Sequence, residues 1–101
     1  MRRLELNGSD WQARSDFYDA LAAVLGSVEW HGRNADAFLE TMIYLPELNA
    51  VQPPYEVVIT DASAAIEPFL RDFSSWVEEA RADRMADPQW GSDIDVSIVV
   101  S

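Results

Sequence analysis

Apolar residues recur along this chain with two periods. From Arg2 to Leu6 they alternate, Leu4 and Leu6 against Arg3 and Glu5, as in a half-buried strand. Asn7-Gly8-Ser9-Asp10 reads as a turn. The period then lengthens to that of a helix, with Phe17, Leu21, Val24 and Leu25 on one stripe, Ser15 as the expected N-cap and Gly26 as the stop. A second helix is predicted from Asn34, which stands where an N-cap belongs, with Ala35, Leu39, Met42 and Ile43 on its apolar stripe and Phe38 at the edge. It should end near Tyr44, because Pro46 cannot extend it, and Leu45 to Pro54 follows as a connecting loop. Tyr55 to Ile59 is the most continuously apolar strand candidate and is expected at the centre of a sheet, covered on both faces. Ile66, Phe69, Leu70, Phe73, Trp76, Val77 and Ala80 form a third helical stripe, with Pro68 in its first turn, and Asp83 to Ser92 reads as a polar connection. Ile94 to Val100 alternates again and, like the first strand, is expected at a sheet edge. Helices between strands argue for parallel crossovers, hence an α/β domain spanning residues 1–101 with a small three-stranded parallel sheet and three to four helices.

Composition adds charge to this picture. The 101 residues carry 18 Asp and Glu against seven basic residues, all arginine, for a net charge of -11. No arginine lies between Arg33 and Arg71, while Asp36, Glu40, Glu47, Glu56, Asp61 and Glu67 do. Such a field repels nucleic acid and anionic membranes and speeds encounter with a basic partner. There is no cysteine, so disulfides and thiolate chemistry drop out. The Met1–Asn7 start lacks an apolar run, and no stretch is long enough to span a bilayer, so a cytoplasmic location is expected.

The densest chemistry runs from Trp30 to Glu40. Asp36 and Glu40, four apart, share one helix face, where like charges repel by a few tenths of a kcal/mol. Each residue here also has a plain structural use: Trp30 closing the core, Asp36 as a first-turn charge, Glu40 and Glu79 as parts of a solvated face. Catalytic readings fare poorly. His31 is the lone histidine, no zinc spacing exists, and Asp93-Ile94-Asp95 lacks the remaining ligands of a calcium loop. No serine sits in an elbow motif, and two carboxylates one turn apart on a single helix cannot flank a sugar ring. Neither an enzyme nor a cofactor or metal protein is expected.

The Trp30-His31-Gly32-x-Asn34-x-Asp36-Ala37 stretch, with Glu40 four residues after Asp36, resembles the signature of the barstar family, intracellular inhibitors of secreted bacterial ribonucleases. The predicted order of strands and helices is similar to that family's fold. The resemblance implies a one-to-one complex of an otherwise monomeric inhibitor with a basic, barnase-like ribonuclease or a related toxin. Glu40 would be the deepest anion, Asp36 the second and Glu79 an outlying acidic contact. Trp30 would pack on a catalytic histidine of the nuclease, and Gly32 and Asn34 would supply backbone and amide contacts. Glu40 stands where the family usually has Asp, and Leu39 where it often has Trp, so Leu39 and Glu40 imply a different cognate target. Two other readings fit the acidity: an adaptor or nucleic-acid mimic that occupies a nucleic-acid-binding protein, and an immunity protein to a toxin that is not a ribonuclease.

Overall fold

The computed structural model describes residues 2–27, 34–90 and 93–101. Its elements are β1 (Arg2–Asn7), α1 (Arg14–Leu25), α2 (Ala35–Leu39), a π-helical turn (Glu40–Tyr44), a 3₁₀ turn (Pro46–Leu48), β2 (Tyr55–Thr60), α3 (Glu67–Ala86) and β3 (Val96–Val100). The three strands form one parallel sheet in the order β1-β2-β3, so the most apolar strand is the central one. Leu4 pairs with Val57 and Val57 with Ile98, which sets the register.

Strands that add in sequence order, joined by right-handed crossovers, put every connecting helix on the same face of the sheet. That face presents Leu4, Val57, Ile59, Val96 and Ile98, all buried. The other carries Arg3, Glu5, Glu56, Val58, Ser97 and Val99, of which Arg3, Glu5 and Val99 are exposed. β2 is the central strand and buried on both faces as expected, but helices cover only one of them. Val58 is buried between its register neighbours Glu5 and Val99 instead.

Over the covered face, α1 contributes Phe17, Leu21 and Leu25, the α2 region Phe38, Met42 and Ile43, and α3 Leu70, Phe73 and Val77, all with no exposed surface. Phe17 is the hub of an aromatic cluster, with ring centres 5.6 Å from Trp11, 5.7 Å from Tyr18, 6.0 Å from Phe69 and 5.2 Å from Phe73. Tyr18 stacks on Phe38 at 5.5 Å, which fixes α2 against α1. Tyr55 is equally deep, and its hydroxyl has no hydrogen-bond partner among the described residues.

Three boundaries differ from expectation. α1 is capped at Ala13, not Ser15, because the Asp16 carboxylate reaches back to accept the Gln12 and Ala13 N–H groups at 2.8 and 3.1 Å, bonds that also hold its pKa below the ordinary value. Gly26 does end the helix, in the left-handed region at φ 64°. α3 continues to Ala86, so Asp83 to Ala86 belongs to the helix and the connection is shorter than the sequence suggested. β3 starts at Val96, with Ile94 buried just before it. The connection is held by Arg81, which grips Asp93 through two hydrogen bonds of 3.1 and 2.8 Å and donates to the Val96 carbonyl at 3.1 Å.

Candidate functional site

Asn34 opens the site. Its Oδ1 accepts the Ala37 N–H at 2.9 Å, satisfying one of the donors a helix start leaves over, and its extended backbone turns the chain into α2. Asp36, Leu39 and Glu40 follow at helical spacing on the outward side, with both carboxylates exposed and Leu39 half-buried.

Regular α-helix then stops. Leu45 N–H donates to the Glu40 carbonyl, five residues back, at 2.7 Å. A turn widened in this way lets three consecutive residues, Thr41, Met42 and Ile43, all be buried, which an α-helix with one apolar stripe does not do. It also corrects the predicted stripe: Phe38 is at the centre of the buried face, and Ala35 and Leu39 flank it.

The opposite wall is α3, where Trp76, Glu79, Ala80 and Asp83 lie at helical spacing. Tyr44 Oη donates to the Ala80 carbonyl at 3.5 Å and Arg84 Nη1 to the Ile43 carbonyl at 2.5 Å, joining the two walls. Trp76 is braced edge-on by Phe69 and Phe73 at 6.0 and 6.3 Å, and Trp90 meets Tyr44 edge-on at 5.2 Å.

Between the walls is an open cavity of about 520 Å³ lined by Ala35, Asp36, Leu39, Glu40, Tyr44, Trp76, Glu79, Ala80 and Asp83. Four carboxylates thus border one depression whose remaining lining is apolar or aromatic. No arginine pairs with any of the four among the described residues. Nor, among the described residues, do three acidic or histidine side chains converge closely enough to hold a metal ion. A surface of this kind offers carboxylate acceptors to arginine, lysine or protonated histidine and apolar area to exclude water around them.

Of the residues singled out in the sequence, Asp36, Leu39, Glu40 and Glu79 are brought together in this cavity. Asn34 stands at the head of α2 with its side-chain oxygen engaged in the cap. Trp30 and Gly32 lie outside the described residues. Tyr44, Trp76 and Asp83 went unnoticed as site residues. The signal for two of them was present, since Trp76, Glu79 and Asp83 repeat at intervals of three and four, but it required α3 to run past Ala80.

The model of the family described as Barstar (barnase inhibitor) matches residues 1–84. The chain belongs to the barstar family. No curated protein matches it significantly. The three-stranded parallel sheet with α1, α2 and α3 is the barstar-like fold, and the family it places the chain in is one of ribonuclease inhibitors, not enzymes. The barstar match ends within α3, so the Asp87–Trp90 turn and β3 lie beyond the matched residues.

Proposed function

We propose that this barstar-family chain blocks the active site of a basic, barnase-like ribonuclease in a one-to-one complex, protecting the cytoplasm of the cell that makes it. A ribonuclease must hold a phosphodiester, so its active site gathers cationic side chains at the mouth of a cleft. Carboxylates delivered into that cleft take the phosphate positions and exclude RNA. The observation that carries the reading is the convergence of Asp36 and Glu40 from one helix with Glu79 and Asp83 from another around a single apolar-floored depression.

In this account Glu40 enters deepest, Asp36 and Glu79 pair with flanking cations, Leu39 fills apolar space, and Trp30, Gly32 and Asn34 complete the surface from the preceding loop. The net charge of -11 attracts a cationic partner over a distance set by screening. That distance is about 30 Å at 0.01 M salt but about 8 Å at 0.15 M, so association should slow steeply as salt is added. Glu40 and Leu39, in place of the family's usual Asp and Trp, favour a target whose cleft differs from that of barnase.

The test is RNA cleavage by a panel of small basic ribonucleases titrated with the protein. Loss of cleavage at an equimolar ratio supports the inhibitor reading. If no nuclease is inhibited, and a toxin or nucleic-acid-binding protein from the native host is captured instead, the immunity or adaptor reading replaces it.

A further inference from the structure

Asn49 is a buried polar residue, only 2% exposed, in what the sequence reads as a connecting loop. Its side-chain amide is used at both ends. Oδ1 accepts a hydrogen bond from Ser27 Oγ at 2.9 Å, and Nδ2 donates to the Thr41 carbonyl at 3.2 Å. Ser27 lies at the exit of α1, on the chain leading to the Trp30 to Asn34 stretch, and Thr41 directly follows Glu40. One amide therefore bridges the two segments that carry the proposed inhibitory surface.

The backbone around it is held just as closely. Ser27 and Asn49 form an antiparallel bridge, Ala50 N–H donates to the Gly26 carbonyl at 3.2 Å, and Val51 N–H donates to that of Leu25 at 3.1 Å. A Cβ on Gly26 would lie 2.6 Å from that of Ala50, so this approach needs glycine for space as well as for its positive φ.

The bond to Thr41 matters because of the π turn. Widening the turn sends the Leu45 N–H to the Glu40 carbonyl, one residue before Thr41. Asn49 gives the Thr41 carbonyl a hydrogen bond from outside the helix, at the start of the widened turn.

We infer that Asn49 is a positioning residue: by donating to the Thr41 carbonyl it maintains the π turn that follows Glu40 and sets Tyr44 against α3. An uninterrupted α-helix would carry residues after Glu40 round by a further part of a turn and pull Tyr44 away from Ala80. The inference rests on the proposed function for its binding consequence, but its structural core is independent of any partner.

Two readouts test it on the full-length protein with Asn49→Ala, Asn49→Asp and Ser27→Ala. The first is amide hydrogen exchange, which needs no partner. In Asn49→Ala, and in Asn49→Asp, which keeps the acceptor for Ser27 but loses the donor, protection of the Leu45 amide should fall about tenfold more than that of Val57 and Ile59 in β2. Ser27→Ala, which keeps the donor, should leave Leu45 close to wild type. A uniform loss of protection across Leu45, Val57 and Ile59 would make Asn49 a general stabiliser and overturn the inference. The second is affinity for whichever ribonuclease is inhibited. Asn49→Ala should weaken binding about tenfold alone but less than about twofold when added to Glu40→Ala, because coupled residues are not additive. Full additivity would overturn the route through Glu40. If no ribonuclease is inhibited, the proposed function falls while the exchange pattern still decides the role of Asn49, and should Asn49→Ala not fold, Asn49→Asp against Ser27→Ala carries the comparison.

Discussion

Replacing Asn34 with Ala removes a single bond at the head of the site helix. The Asn34 Oδ1 contact with the Ala37 N–H, at 2.9 Å, disappears, while the backbone bond from Phe38 N–H to the Asn34 carbonyl, at 3.2 Å, can persist. Loss of an Asn cap costs about 1 kcal/mol, within a range of about 0.5 to 2. The position is exposed, so no cavity term adds to this. For a domain near 100 residues, 1 kcal/mol corresponds to a fall of about 4–8 °C in Tm. Regular α-helix here is only five residues long before the π turn, so little other local structure can compensate. Asn34→Asp keeps the acceptor oxygen and should stay within about 0.5 kcal/mol of wild type, and Asn34→Gly should lose only a few tenths. Thermal melting and urea denaturation of the three variants measure this directly. An Asn34→Ala protein as stable as wild type, or an Asn34→Asp protein as weak as Asn34→Ala, would refute the assignment of Asn34 as the cap.

Three further outcomes follow from the core and its borders. Phe17→Ala empties the hub of the aromatic cluster and should cost about 3–5 kcal/mol by urea denaturation, a large share of the roughly 5–15 that holds a domain together. Tyr55→Phe deletes a buried hydroxyl that has no partner among the described residues and should leave stability unchanged or raise it by about 1 kcal/mol. Hydrogen bonds from Arg81 hold the Asp93 carboxyl below its ordinary value of 3.8. Its contribution is therefore complete above that value and is lost as pH falls through the lowered folded-state pKa, so Asp93→Asn should be less stable than wild type at pH 7 and the difference should shrink on acid titration.

Most of the architecture could be read from local patterns because it rests on local physics. Strand alternation at Leu4 and Leu6, the continuous apolar run at Val57 to Ile59, the Asn34 cap, the Gly26 stop and Pro46 after the site helix are each decided by a residue and its near neighbours. The errors share a different origin. Ser15 lost the N-cap because Asp16 reaches backward, and Phe38 moved to the centre of its face because the π turn breaks the 3.6-residue period on which the stripe was drawn. The sequence reading ends α3 before Asp83 because Asp83-Arg84-Met85-Ala86 offers no apolar period, although the helix runs on until Asp87, ahead of Pro88. Within the site, Asp36, Leu39 and Glu40 were legible together from one helix. Their meeting with Glu79, Asp83, Trp76 and Tyr44 depends on how α3 packs against the π turn, and the burial of Asn49 depends on the return of the loop against Gly26, neither of which is written in spacing.

The most direct test of the central claim, that the depression between α2 and α3 is the inhibitory surface, is the inhibition constant of Asp36→Ala and Glu40→Ala against that of Glu5→Ala and Glu56→Ala. The first pair lines the depression, and the second lies on the face of the sheet away from the helices, so all four remove one negative charge each. The account predicts that Asp36→Ala and Glu40→Ala weaken inhibition of the cognate ribonuclease by about tenfold or more, while Glu5→Ala and Glu56→Ala change it by less than about twofold. Equal effects from all four would mean that only net charge matters, and wild-type inhibition by both Asp36→Ala and Glu40→Ala would place the surface elsewhere.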